Sequence, residues 1–94
     1  MGKNGVYKHV AGDWYRIRDN ERYVTYKRIG KGLTGGKQTI TVHKKRDRFG
    51  GISATVKLES GWRNEEYWES KIKALLRADN KRSLAKNLKW VNIR

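Results

Sequence analysis

Ninety-four residues with no cysteine and a net charge of +14 describe one small basic domain. The missing cysteines exclude a disulfide framework and thiolate metal sites. No run approaches 18 consecutive apolar residues, and the N-terminus has no signal-like apolar core, so neither a membrane span nor a secretory leader is expected and a cytoplasmic setting is.

The charge is unevenly placed. Residues 1–57 hold 14 Lys/Arg against 4 Asp/Glu, residues 58–80 hold 4 against 5, and residues 81–94 hold 5 against none. Self-repulsion of this size favours a polyanionic partner, and nucleic acid is the default one.

In chain order, residues 6–10 (VYKHV) read as a short edge strand and Ala11-Gly12-Asp13 as a turn. Residues 14–18 (WYRIR) and 22–29 (RYVTYKRI) have strand composition and are expected to pair across the Asp19-Asn20-Glu21 turn. Residues 30–37 (GKGLTGGK) satisfy G-x-G-x-x-G at Gly30, Gly32 and Gly35. That motif binds dinucleotides when it follows a strand and opens a helix. Here it opens a strand instead. A positive connector lying along phosphates, through Lys31 and Lys37, is the better functional reading, and a plain connector the plainer one.

Residues 38–59 carry the clearest pattern. Ile40 and Val42 alternate with Thr39, Thr41 and His43, and Ile52, Ala54, Val56 and Leu58 alternate with Ser53, Thr55 and Lys57. Period-two alternation predicts two strands with one dry and one wet face. The link from Lys44 to Gly51, with Lys44, Lys45, Arg46 and Arg48, predicts a positive hairpin tip.

Residues 64–78 predict an amphipathic helix, with Asn64 as its cap and Glu65 and Glu66 at the positive end of its dipole. Trp68, Ile72, Leu75 and Leu76 form its apolar stripe, destined for the dry face of the sheet. Asp79-Asn80 ends it. Residues 81–86 could form a further turn of helix. Residues 87–94 (NLKWVNIR) read as a last edge strand or an extended basic arm.

Catalytic groups do not converge in the sequence. His9 and His43 share no local motif, and the carboxylates cluster where helix capping explains them. No cofactor and no enzymatic activity are expected. The one catalytic alternative is a small nuclease using His43 with a lysine. Basic residues interleaved with aromatics favour binding instead: cations neutralise phosphates, aromatic faces stack on unpaired bases, and a two-stranded ribbon can enter a major groove. For Tyr15, Ile17, Val24 and Tyr26 a core position is expected. The candidate contacts are Arg16, Arg18, Lys27, Arg28, Lys31, Lys37, His43, Lys44, Lys45, Arg46, Arg48, Lys57, Lys81 and Arg82.

Two short pieces carry resemblances. Gly5-Val6 followed by Gly12-Asp13-Trp14-Tyr15-Arg16-Ile17 resembles the opening of the APETALA-type DNA-binding domain, which also occurs in phage endonucleases and is similar to integrase arm-binding domains. The resemblance implies three antiparallel strands in a major groove with a helix packed behind. Asn80-Lys81 with Asn87-Leu88-Lys89-Trp90-Val91 looks like the end of HNH nuclease motifs, but Leu75, Leu76 and Arg77 stand where the catalytic His pair belongs. Both imply phage or mobile-element DNA biology.

The expectation is therefore an α+β domain, a twisted antiparallel sheet of four to six strands with one amphipathic helix on one face. Its exposed basic face and hairpin tip would bind nucleic acid, duplex DNA ahead of RNA, with Lys81–Arg94 adding affinity. The rivals are a phage-type inhibitor gripping an acidic host protein in the host cytoplasm, and an RNA-binding or ribosome-associated protein.

Overall fold

The computed structural model describes residues 7–29, 37–59 and 62–94. Six strands form one sheet in sequence order: β1 (Lys8–Ala11), β2 (Trp14–Asp19), β3 (Tyr23–Arg28), β4 (Gln38–His43), β5 (Ile52–Leu58) and β6 (Leu88–Ile93). The first five make an antiparallel meander, and β6 joins β5 in parallel. A parallel neighbour needs a crossover. Helices α1 (Glu65–Ala78) and α2 (Arg82–Asn87) supply it.

The fold is the expected α+β sheet-and-helix layer, with two refinements. A second helix occupies residues 82–87, and residues 88–93 are an edge strand rather than a free basic arm. The Gly30–Gly36 connector, with Lys31, lies outside the described residues.

Local chemistry places α1. Asn64 caps it by accepting the Tyr67 N–H at 2.9 Å, and Glu65 and Glu66 sit in the first turn. At the other end Asn80 adopts φ +62°, the Asn80 N–H donates to Arg77 O at 3.0 Å, and the Lys81 N–H donates to Leu76 O at 2.7 Å. These paired bonds are a Schellman stop, with Asn in the left-handed position that glycine usually takes. Trp68, Ile72, Leu75 and Leu76 are all buried, as the stripe predicts. Each contributes about 1.5–3 kcal/mol by leaving water.

The register sorts every strand side chain onto one of two sides, because residues directly opposite across strands point the same way. Tyr26, Ile40 and Val56 make one helix-side row, and Val24, Val42, Ala54 and Val91 another. All are buried against the helix, with Trp14, Ile52 and Leu88. Trp68 meets Trp14 and Tyr67 edge-on, at centroid distances of 6.2 and 5.1 Å.

Two irregularities decide what reaches the other side. A register shift between Arg16 and Arg18 in β2 puts Arg16 opposite Tyr26 on the helix side and Arg18 opposite Thr25 on the open side. A second shift, between Ile52 and Ser53 against β6, leaves Leu88, Val91 and Ile93 towards the helix and turns Trp90 and Asn92 outward. The core expectation consequently fails at two positions. Val24 and Tyr26 are buried, but Tyr15 and Ile17 are only partly buried, because Tyr15 shares its row with His9 and Lys27 on the side that no helix covers and Ile17 sits in the shift.

Candidate nucleic-acid interface

The uncovered side consists of three cross-strand rows. The first is His9, Tyr15, Lys27, Thr39 and Lys57; the second is Arg18, Thr25, Thr41, Thr55 and Asn92; the third is Tyr23, His43, Ser53 and Trp90. None of these described strand positions is acidic. Threonines fill the centre, cations lie around them, and aromatics stand towards the margins. The strand pattern explains the threonines: β-branched side chains suit a pleated surface, and their hydroxyls keep it wet.

Internal contacts hold part of this face still. His43 Nε2 lies 3.2 Å from Thr55 Oγ1. Arg18 donates to Tyr23 Oη at 3.2 Å and lies 5.6 Å from the centre of its ring. Lys57, exposed, and Lys27, partly buried, stand on either side of Thr39. Two strand spacings separate them, about 10 Å.

The 44–51 loop extends this surface at one end. Asp47 organises it: its Oδ1 accepts the N–H groups of Phe49 at 2.8 Å and Gly51 at 2.9 Å, while its own N–H donates to Gly51 O at 2.9 Å. Gly50 takes φ +82°, which a side chain would resist. The turn holds Lys45, Arg46, Arg48 and Phe49 out in solvent, with Phe49 85% exposed.

The predicted contact residues divide sharply. Arg18, Lys27, His43 and Lys57 lie on the open face, and Lys45, Arg46 and Arg48 on the adjoining loop. Lys37 is exposed at the start of β4 and lines a groove with Lys57 and Arg94. Arg16 and Arg28 are on the helix side. Arg16 Nη1 donates to both oxygens of Asp79 at 3.0 Å, and Arg28 pairs with Asp13 at 3.5 Å and donates to Gln38 Oε1 at 3.2 Å. Lys44 and Lys81 both grip Asp19, at 2.6 and 2.7 Å. Arg82 is exposed on α2, apart from the three rows. The cations are thus not all gathered on one flank. On the helix side Lys8, Arg16 and Arg28 are each matched to a carboxylate, while Arg77 and Arg82 are exposed on the helices themselves.

Those carboxylates explain the matching. Asp79 has a fully buried side chain that also accepts Tyr26 Oη–H at 2.9 Å and lies 3.2 Å from Lys8 Nζ. Burial first, and then the hydrogen bond to Asp79, push the Tyr26 phenol well above its ordinary pKa. At Asp19 burial pushes the carboxyl up, but the hydrogen bonds and charges of Lys44 and Lys81 outweigh it and hold the group below the usual carboxylate range. Among the described residues no three of His, Asp and Glu converge on a common point.

Residue typing alone missed Trp90, Phe49, Tyr23 and Asn92. Trp90 is 51% exposed and walls a groove of about 570 Å³ shared with His43, Lys45, Arg46, Ser53 and Asn92. Val91 and Ile93, two residues apart and both apolar, were the available signal that Trp90 would face the other way. Comparison with protein-family models, curated proteins and solved structures returned no match.

Proposed function

We propose that this protein binds nucleic acid, laying the phosphate backbone across the open sheet face and the 44–51 loop. One observation carries the reading: the uncovered side presents Arg18, Lys27, Lys57, Lys45, Arg46 and Arg48, while no strand position on it is acidic. Elsewhere Lys8, Arg16, Arg28, Lys44 and Lys81 are paired with Asp13, Asp19 and Asp79. Unpaired cations on a flat wet face neutralise phosphates by displacing their counterions.

Duplex DNA is the leading polymer, and the geometry divides the work in meeting it. A six-stranded face is too broad for a major groove about 12 Å wide, so it touches backbone only. The loop is narrow enough to reach base edges, with Arg46 or Arg48 available for guanine.

The test is a salt titration of binding to duplex DNA, single-stranded DNA and RNA side by side. Five phosphate contacts on a duplex give a slope of log K against log salt of about −4 to −5. Reversing Lys27, Lys45, Arg46 and Lys57 to Glu should abolish binding while far-UV circular dichroism stays native. Flat salt dependence refutes the reading. So does retention of one stoichiometric acidic protein after nuclease treatment with no affinity for any nucleic acid.

A further inference from the structure

Phosphate contacts give no account of Trp90. Its row-mates are Tyr23, His43 and Ser53, and half of its surface meets solvent at the margin of a face whose centre is made of hydroxyls and cations. A lone exposed apolar side chain is ordinary on a protein surface. This one has company. It walls a groove whose other sides carry two cations, Lys45 and Arg46, an imidazole, His43, the hydrogen-bonding side chains of Ser53 and Asn92, and one carboxylate, Asp47, whose Oδ1 is taken up by the amides of its own loop. Cation, aromatic face and amide within one concavity match the three parts of a nucleotide: phosphate, base plane and base edge.

The form of the strand follows from the shape of the face. In a duplex the bases are stacked on each other and offer only their edges. An indole on a broad flat sheet therefore meets no base plane there. A single strand lying across the sheet does offer one. Tyr23, about 14 Å away along the same row by strand spacing, already has its ring partnered by Arg18. Trp90 is the open platform.

Charge also sets the path. On its far side Trp90 borders Glu65, Glu66 and Glu69 of α1, three carboxylates against the single cation Lys89, and their net charge repels phosphate. On its near side stand Lys45 and Arg46, with Phe49 held out by the Asp47 turn. The strand must arrive from the loop and run inward over His43 rather than over the β6 edge.

We infer that the Trp90 groove takes an unpaired base of a single-stranded segment, stacked on the indole, with Lys45 and Arg46 on the flanking phosphates. This rests on the nucleic-acid reading and adds to it a preference for unpaired strands at this end of the sheet.

The test uses fluorescence-labelled oligo(dT), oligo(U) and a hairpin duplex of equal length at about 50 mM salt. The proteins are the full chain and its Trp90→Ala, Trp90→Phe and Lys45→Gln/Arg46→Gln variants. Trp90 is half-exposed, so these variants should fold, and circular dichroism checks that they do. Trp90→Ala should weaken oligo(dT) and oligo(U) binding about tenfold or more, Trp90→Phe should retain most of it, and both should leave the duplex within about twofold. Lys45→Gln/Arg46→Gln should weaken all three ligands and flatten their salt dependence. Equal single-strand affinity in Trp90→Ala, or equal losses on single strand and duplex, overturns the stacking site and leaves the phosphate-binding reading intact. Failure of the unaltered protein to bind any of the three overturns both.

Discussion

Replacing Asp79 by Asn should destabilise the fold by about 2–3 kcal/mol without touching the proposed interface. The carboxylate is fully buried and accepts three donors: Arg16 Nη1 onto both oxygens, Tyr26 Oη–H and Lys8 Nζ. Lys8 is half in solvent, so its share is small. The Arg16 side chain is 26% exposed and can turn partly to water when its partner is lost, which limits its share to about 1 kcal/mol. The Tyr26 bond is buried at both ends, and a hydrogen bond to a charged group there contributes about 1.5–3 kcal/mol. Asparagine keeps one neutral acceptor and so recovers part of that, while its new N–H groups face Arg16. Against a total of roughly 5–14 kcal/mol for 94 residues, the loss is large. It should lower Tm by roughly 10–20 °C. Urea denaturation is the assay: the midpoint should fall with an unchanged slope. Arg16→Gln should cost about 1 kcal/mol, and the double variant should be less destabilised than the sum of the two. A shift below about 0.5 kcal/mol for Asp79→Asn would refute the reading that this carboxylate ties α1 to β1, β2 and β3. Loss of nucleic-acid affinity in folded Arg16→Gln would refute the placement of Arg16 outside the interface.

Tyr26 gives a pH test. Its folded pKa is raised by burial and by Asp79, so its contribution to stability is intact below the unfolded value of about 10 and declines as pH rises beyond it. Thermal melts from pH 8 to 11.5 should show that decline, and Tyr26→Phe should flatten it. Asp19 has the opposite sign: its folded pKa is lowered, so its contribution is present above about pH 4 and is lost as pH falls through the folded value. Asp19→Asn should therefore show a shallower loss of Tm between pH 5 and 2 than the parent. Asn64→Ala removes the α1 cap and should cost about 1 kcal/mol by urea denaturation. Lys27→Gln should leave stability unchanged and reduce the salt slope of nucleic-acid binding by about 1, whereas Arg28→Gln should leave that slope alone.

Much of this architecture was legible in the order of residue types. The alternation in 38–43 and 52–58 and the 3.6-residue stripe in 65–78 each specify a local conformation and its apolar side, because period and burial are tied together within a single element. Asn64, Asn80 and the Lys44–Gly51 link punctuated those elements correctly for the same reason, since caps and turns are settled by neighbours along the chain.

What the amino-acid order could not decide was which cations are free. Arg16 and Arg18 are two residues apart and look alike in the chain, yet a one-residue shift against β3 sends the first to Asp79, 63 positions away, and the second to the open face. Lys44 reads as part of a basic tip, yet it closes on Asp19 together with Lys81. Leu88, Trp90 and Asn92 alternate with Lys89, Val91 and Ile93 in the chain, yet the shift against β5 gives the buried places to Leu88, Val91 and Ile93 and leaves the indole outside. A side chain's partner depends on register and on long-range packing, and neither is encoded by the residues beside it. The sequence by itself determined a basic sheet with one dry side and a helix to cover it. Only the tertiary structure decided which charges that closure consumes and which it leaves at the surface.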